Sequence, residues 1–159
     1  MSDYGTRGAL REGYREWLRE LLDEAQDLVV HFVFNRAVSA IAMERALDEF
    51  LQRLDRYCLG VRFHKKAWSS RSSIIVFTEH AASNRHGHGF LRPGILKDGD
   101  TAADLRAEAA RIWKVLEPAG NLDIRPADAM EAAIIYNTKD LAQSGAADLI
   151  YVRGVFLKR

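Results

Sequence analysis

Two histidines at alternate positions, His86 and His88, follow shortly after Glu79, a glutamate that ends an apolar run. Residues two apart on a β-strand point to the same face, so both imidazoles would leave one side of a sheet. A tight hairpin after Glu79 would bring its carboxylate beside them. Two imidazoles and a carboxylate on one surface are suitable ligands for a divalent metal such as Mg²⁺ or Mn²⁺. We therefore predict a metal site formed by Glu79, His86 and His88.

His80 is an alternative third ligand, because it adjoins Glu79 and a β-bulge would exchange the faces of these two residues. We favour Glu79, since a carboxylate makes a mixed site suitable for Mg²⁺ or Mn²⁺. His31 and His64 have no such neighbours in the sequence, and we interpret both as structural residues.

A tyrosine and a lysine further along the chain, Tyr136 and Lys139, form a second group with chemical potential. At about 3.6 residues per turn, a helix would place both on one face with the small Ala132. The apolar residues of this segment would lie on another face: Met130, Ala133, Ile134 and Leu141. A tyrosine with a cation beside it is a candidate nucleophile, and Ala132 would leave room for a bound strand. The alternative is that Tyr136 is a core aromatic residue.

The hydrophobic pattern predicts the elements that must position these side chains. Ser39 is a predicted helix N-cap, Gly60 a helix stop, and Thr101 with Asp104 a capping box. The predicted elements are a helix over Leu10 to Gln26, a strand over Val29 to Phe34 at the sheet edge, a helix from Ser39 to Gly60, a short strand at Val61 to Phe63, a hairpin of Ile74 to Glu79 with His86 to Leu91, a helix from Thr101 to Pro118, a strand over Leu122 to Ile124, a helix from Pro126 and a strand over Leu149 to Leu157. This order predicts an α+β fold with helices on one face of the sheet.

Composition and length favour one globular domain: the chain has 159 residues, of which 48% are hydrophobic and 28% charged. We predict an N-terminal amphipathic helix over residues 1–27, packed on a domain of residues 28–159. The chain has no Gly-x-x-x-x-Gly-Lys-Ser/Thr motif, so no ATP-driven helicase domain is expected. Its single cysteine, Cys58, excludes an intramolecular disulfide. We see neither a membrane-spanning run nor a signal-peptide pattern, so a cytosolic location is expected.

The formal net charge of +1 covers an uneven distribution, because the first segment is acidic and the middle of the chain is basic. This asymmetry is compatible with a local anion-binding surface and also with an ordinary solvated face.

The order of the motifs resembles the catalytic domain of rolling-circle replication initiators, the Rep branch of the HUH endonucleases. That family has an apolar strand, then a His-hydrophobe-His motif, then Tyr-x-x-Lys on a helix. The matching segments here are Val29 to Phe34, His86-Gly87-His88 and Tyr136 to Lys139, with Leu122 to Pro126 leading into the tyrosine helix. The resemblance covers residues 28–157. One departure is Gly87, which stands where the family has a bulky apolar residue.

The resemblance implies a ferredoxin-like (RRM-like) antiparallel sheet of about five strands. It also implies metal-dependent, sequence-specific nicking and joining of single-stranded DNA, with Tyr136 forming a 5′-phosphotyrosine link and Lys139 assisting. The implied partners are single-stranded DNA at the replication origin of a plasmid or phage and a host helicase in trans, in the prokaryotic cytoplasm. The residues that would bind DNA are Arg36, Arg62, Lys65, Lys66, Trp68, Arg71 and Arg85.

Three other functions stay open. A single-tyrosine transposase shares the His and Tyr motifs, but its helix more often carries glutamine at the position of Lys139. A relaxase would use an N-terminal tyrosine, for which Tyr4 is the candidate. A non-catalytic nucleic-acid-binding module on a ferredoxin-like sheet would make the histidines and Tyr136 incidental.

Overall fold

The computed structural model describes residues 3–79, 84–142, 150–154 and 156. The elements are α1 (Asp3–Leu21), β1 (Leu28–Val33), α2 (Ala40–Leu59), β2 (Ser73–Glu79), β3 (His86–Arg92), α3 (Ala102–Leu116), β4 (Asn121–Pro126), α4 (Met130–Asn137) and β5 (Ile150–Arg153). Short 3₁₀ helices cover Phe63–Lys65, Trp68–Ser70 and Lys139–Ala142. No helix in these described ranges is long and apolar enough to cross a membrane.

Within the described residues, five strands form one sheet in the order β4-β1-β3-β2-β5, and every neighbouring pair is antiparallel. The first four strands and their crossover helices have the ferredoxin-like order, so the predicted α+β fold with about five strands is confirmed. The prediction that the first strand lies at the sheet edge is wrong. β4 pairs with β1 along its whole length, from Leu28 opposite Pro126 to Val33 opposite Asn121.

Helices cover both faces of the sheet, so the prediction of helices on one face is correct only for α2 and α3. These two pack on one face around Phe32, Phe50 and Trp113. On the other face, Leu18 of α1 and Ile134 of α4 pack with strand residues such as Phe90. Because both faces are covered, every residue of β2 is buried.

The helix ends agree with the predicted capping residues. The Ser39 side chain accepts a hydrogen bond from the Ala42 backbone N–H, and Thr101 with Asp104 forms a complete capping box. Gly60 ends α2 with a positive φ of 85°, which glycine adopts without steric cost.

Several of the predicted elements differ in the structure. The final strand, predicted to reach Leu157, ends at Arg153, because Gly154 turns the chain with a positive φ of 81°. The short strand at Val61 to Phe63 is wrong: the Phe63 N–H bonds locally to the Gly60 carbonyl, so the chain turns and does not join the sheet. α1 ends at Leu21 and not at Gln26, because a turn follows in which the Asp27 N–H bonds to the Asp23 carbonyl. α4 begins at Met130, because residues up to Pro126 belong to β4.

Strand β3 has glycine at two positions that alternate with its histidines, Gly87 and Gly89. A Cβ at Gly87 would lie 2.4 Å from Val76 Cγ1 and 2.8 Å from Met43 Cε. At Gly89 it would lie 1.8 Å from the Ile75 carbonyl oxygen. The side chains of Val76 and Met43 therefore occupy the space that a bulky residue at position 87 would need, which explains the departure from the resembled motif.

The close backbone approach at Gly89 leads to a stability prediction. Gly89→Ala should destabilise the fold by at least about 3 kcal/mol, because its Cβ would overlap a backbone carbonyl that cannot rotate away. Gly13→Ala is the matched control, since Gly13 lies within α1 with open space around it. That substitution should stabilise by about 0.5–1 kcal/mol. Urea unfolding followed by circular dichroism measures both, and an unchanged midpoint for Gly89→Ala would contradict the packing described.

Candidate metal and nucleophile site

Two neighbouring strands, β2 and β3, bring the predicted metal ligands to the sheet face that α1 and α4 cover. In the β2–β3 hairpin, Glu79 lies directly opposite His86. In the β1–β3 pair, His31 lies directly opposite His88. The structure therefore brings Glu79, His86 and His88 together, as their spacing indicates, and adds His31.

The Glu79 carboxylate contacts two histidines of β3 and a lysine beyond α4. Its Oε2 lies 3.1 Å from His86 Nε2 and 3.2 Å from His88 Nε2, and its Oε1 lies 2.5 Å from Lys139 Nζ. Only 9% of its side chain is exposed. Burial raises the pKa of Glu79, but the hydrogen bond from Lys139 and the electrostatic interactions with His88 and Lys139 lower it by more, so the pKa lies below its ordinary value. Glu79 is therefore a carboxylate at neutral pH.

The hydrogen bonds of His86 leave a lone pair facing Glu79. His86 Nδ1 lies 3.0 Å from the Asn84 carbonyl oxygen. Because a carbonyl only accepts, Nδ1 carries the proton, and Nε2 of the neutral ring has a lone pair. That lone pair faces Glu79 Oε2, another acceptor. A cation between the two atoms, or a second proton on His86, makes this contact favourable; metal-bound histidines commonly donate their other N–H to a backbone carbonyl in this way.

His31 and His88 stack with ring centroids 3.8 Å apart and ring planes at 14°. One nitrogen from each of His31, His86 and His88 lies within 4.8 Å of the others. His31 Nε2 is buried and has no hydrogen-bond partner among the described residues. Burial lowers the pKa of His31. The pKa of His88 is lowered to about 4, first by burial and then by its electrostatic interaction with His31. Both rings are thus neutral at neutral pH, the form that binds metal.

These donors fit a divalent metal. Two ligand atoms that bind one Mg²⁺-sized ion at right angles lie about 3 Å apart, close to the separations of Glu79 Oε2 from His86 and His88. The His31 ring stacks on His88 and its nitrogen is close enough to be an additional ligand, while we expect Glu79, His86 and His88 to be the direct ligands. The Glu79 carboxylate suits Mg²⁺ or Mn²⁺, whereas the imidazoles suit metals such as Zn²⁺ or Fe²⁺.

Tyr136 and Lys139 lie beside the metal-ligand cluster. The Tyr136 ring packs edge-on against His88, with centroids 5.1 Å apart, and Lys139 Nζ lies 3.7 Å from the tyrosine ring centroid. Partial burial lowers the pKa of Lys139, but its hydrogen bonds with Glu79 and Tyr136 raise it by more, so its amine is cationic. Tyr136 is 47% exposed. The helical spacing assigned the faces of α4 correctly, since Met130 and Ile134 are buried whereas Ala132 and Tyr136 are exposed. The predicted helix does not reach Lys139 and Leu141, which lie in the 3₁₀ helix after Asn137.

Helix α1 holds the tyrosine helix in place. Arg15 Nε donates a 2.9 Å hydrogen bond to Thr138 Oγ1, and that buried hydroxyl donates to the Ile134 carbonyl. Arg19 forms an ion pair with Glu131 at 2.6 Å. The N-terminal helix is therefore part of what positions Tyr136.

The basic residues predicted to bind DNA are spread over the molecule. Arg36 forms an ion pair with Glu117 at 2.7 Å, and Arg85, next to His86, donates to the Val38 carbonyl. The other predicted residues come before β2 in the chain, and Glu79 is the last residue of that strand. The start of β2, where these residues end, therefore lies about 20 Å from the site. These residues are Arg62, Lys65, Lys66, Trp68 and Arg71; the Arg71 guanidinium lies 4.2 Å from the Trp68 ring centroid. His80, the alternative ligand, lies outside the described residues.

His31 is the site residue that sequence reasoning missed, because it was interpreted as structural. Its link to His88 depends on how β1 pairs with β3, which no local pattern contains. The ferredoxin-like strand order, which places these strands side by side, is the signal that could have identified it.

Comparisons with protein-family models, curated proteins and solved structures find no match. What the site can do therefore follows from its own residues. It combines a metal-ligand cluster, an ionised carboxylate, a lysine ammonium and an exposed phenol on one surface.

The two histidine positions should differ in their effect on metal binding. His86→Ala should reduce Mn²⁺ affinity more than 100-fold, because it removes a direct ligand. His31→Phe retains a ring stacked on His88 and should weaken binding about tenfold, the usual size of an effect from a group next to the ligands. Titration calorimetry with Mn²⁺ measures both. Equal losses in the two variants would instead make His31 a direct ligand.

Proposed function

We propose that this protein is a metal-dependent endonuclease that nicks and rejoins single-stranded DNA through Tyr136. The observation that supports this best is the contact of Tyr136 with both His88 and Lys139, at the edge of a cluster suited to a divalent metal. The ferredoxin-like fold and the order of the three motifs also support the proposal. By resemblance, the physiological role is the initiation of rolling-circle replication of a plasmid or phage.

The proposed reaction is an exchange of one phosphodiester bond for another. The phenol oxygen of Tyr136 loses its proton and attacks a backbone phosphorus, and the bond from phosphorus to the 3′ oxygen breaks. That oxygen takes a proton and leaves as a free 3′-hydroxyl, while the 5′ phosphate stays joined to Tyr136. Because the bond energy is retained, a 3′-hydroxyl can reverse the step and rejoin the strand without ATP.

The neighbours of Tyr136 have distinct parts in this reaction. The Lys139 ammonium stabilises negative charge on the phenol oxygen and on the phosphate. Glu79 holds that ammonium in place through its Oε1 atom. The edge-on contact with His88 limits the orientations of the tyrosine ring. A divalent metal held by Glu79, His86 and His88 would polarise the phosphate and stabilise the charge that develops on it.

The surface around Tyr136 leaves room for a bound DNA strand. Tyr136 is about half exposed, and Ala132, one turn earlier on α4, is exposed and small. The basic segment meets β2 at the end of that strand about 20 Å from Glu79. We therefore propose that this segment binds the DNA several nucleotides away from the cut.

Replacing the tyrosine tests the proposal directly. Wild-type protein with Mn²⁺ should form a covalent adduct with a pool of single-stranded oligonucleotides of random sequence, labelled at the 3′ end. Tyr136→Phe should form none, because it lacks the attacking oxygen, yet should still bind the pool, since charge neutralisation supplies most of that affinity. Denaturing gels detect the adduct, and fluorescence anisotropy measures binding.

Tyr4→Phe is the control, and it should form the adduct as wild type does. Loss of the adduct in Tyr4→Phe alone would favour a relaxase. An adduct in both variants would place the nucleophile elsewhere. Wild-type protein that binds the pool but forms no adduct would favour a non-catalytic binding module.

Lys139 should affect the rate of the reaction more than DNA binding. Lys139→Met keeps the length of the side chain and removes its charge, so nicking should slow by about 10²–10³-fold without stopping. Lys97→Met, an exposed lysine on another loop, should leave the rate unchanged. Single-turnover nicking of an oligonucleotide selected from the random pool measures the rates. Equal rates for both variants would remove Lys139 from the proposed mechanism.

A further inference from the structure

A cleft of about 510 Å³ opens beside the nucleophile, between α4 and strands β1 and β4. His31, His88 and Tyr136 line one end of it. Its volume lies in the range of small-molecule sites and is sufficient for one nucleotide. Part of the wall is apolar and formed by small residues, among them Val29, Ala132 and Ala133.

Asn137 provides an unpaired hydrogen-bond acceptor in the wall of this cleft. Its side-chain Nδ2 donates to the Ala133 carbonyl at 2.8 Å, so its amide orientation is set. Its Oδ1 is buried and has no partner in the part of the chain that the structure describes, although the residue is only 6% exposed. An unsatisfied buried carbonyl costs about 1–3 kcal/mol. Because this oxygen is buried, a ligand N–H reaches it only when the side chain turns toward the cleft, and the bond formed there would offset that cost.

The charged residues of the cleft are also mainly acceptors. Asp123 lies opposite His31 in the sheet register, and Asp128 lies between β4 and α4. Both line the cleft, with Arg125 as the cation. Two carboxylates repel a phosphate, so the cleft is poorly suited to the DNA backbone. They suit the edge of a base that offers amino hydrogens.

We infer that this cleft binds the base of a nucleotide next to the scissile phosphate and selects an amino-bearing base over thymine. Adenine and cytosine each present an exocyclic amino group, a donor that Asn137 Oδ1 and the two carboxylates can accept. Thymine presents a single N3–H between two carbonyl oxygens, so when that N–H is accepted both carbonyl oxygens face the carboxylates, which repel them. This inference rests on the proposed function, because it takes single-stranded DNA as the substrate.

Base preference can be measured apart from catalysis. The full-length Tyr136→Phe variant is titrated, with Mn²⁺ present, into fluorescent octanucleotides of oligo(dA), oligo(dC) and oligo(dT). Oligo(dA) and oligo(dC) should bind about tenfold more tightly than oligo(dT), the size expected for one good base contact. Equal affinities for the three, or tighter binding of oligo(dT), would overturn the inference.

Matched substitutions on α4 test whether the cleft is responsible. Ala132→Phe, added to Tyr136→Phe, should fill the cleft and make the affinities for the three oligonucleotides equal. Ile135→Phe is the control, because Ile135 is exposed on the same helix but does not line the cleft. A preference that survives Ala132→Phe would place base recognition elsewhere and overturn the inference.

A charge-matched pair tests the same point without adding bulk. Asp128→Asn should reduce the preference to about threefold or less, because its amide can donate to a thymine carbonyl. Asp98→Asn, which removes an equal charge from an exposed loop, should leave the preference unchanged. Equal effects of the two substitutions would show a general effect of charge and overturn the role of Asp128. If the wild type forms the covalent adduct but Tyr136→Phe shows no base preference, only the inference about the cleft is overturned. If Tyr136→Phe shows the preference but the wild type forms no adduct, only the catalytic proposal is overturned.

Discussion

A single buried carboxylate connects the parts of this protein that could do chemistry. One carboxylate oxygen of Glu79 contacts His86 and His88 on the neighbouring strand. The other oxygen contacts Lys139, which follows the tyrosine helix. A carboxylate with so little exposure is tolerable only when its charge is matched by such partners. Removing it would leave imidazoles and an ammonium facing one another. The position of Tyr136 relative to the histidines depends on this contact more than on any other.

The two faces of the sheet contribute differently to the molecule. On the face covered by α2 and α3, aromatic rings including Phe32, Phe50 and Trp113 pack edge to face, with centroids 4.8 to 6.1 Å apart. The other face carries the site, and α4 is short there, with only 8 residues. Side-chain bonds from α1, such as Arg15 to Thr138, supplement its packing. Stability is thus concentrated opposite the site, and the tyrosine helix is held by fewer contacts, as is common for elements that bind ligands.

Sequence reasoning succeeded where a property depends on neighbours along the chain. The alternation of His86 and His88, the exposed face of Tyr136 and the cap at Ser39 are all local, and the structure shows each of them. It failed where the property depends on distant segments. His31 joins the histidine cluster only through the register of β1 with β3. The apolar stripe of α1 predicts that the helix packs on something, but not which face of the sheet it covers. Gly87 was understood only once Val76 and Met43 were seen in the space beside it.

The paired glycines of β3 also determine how disturbances reach the histidines. If β3 had large side chains on the face opposite the histidines, a change of side-chain volume in the core would shift the strand backbone and with it the imidazoles. Gly89 has no side chain to transmit such a shift, because β3 lies directly against the main chain of β2 at this position. At Gly87 the neighbouring thioether of Met43 is flexible enough to absorb small shifts. We therefore expect substitutions in the α2–α3 core to leave the distances between the histidine nitrogens unchanged.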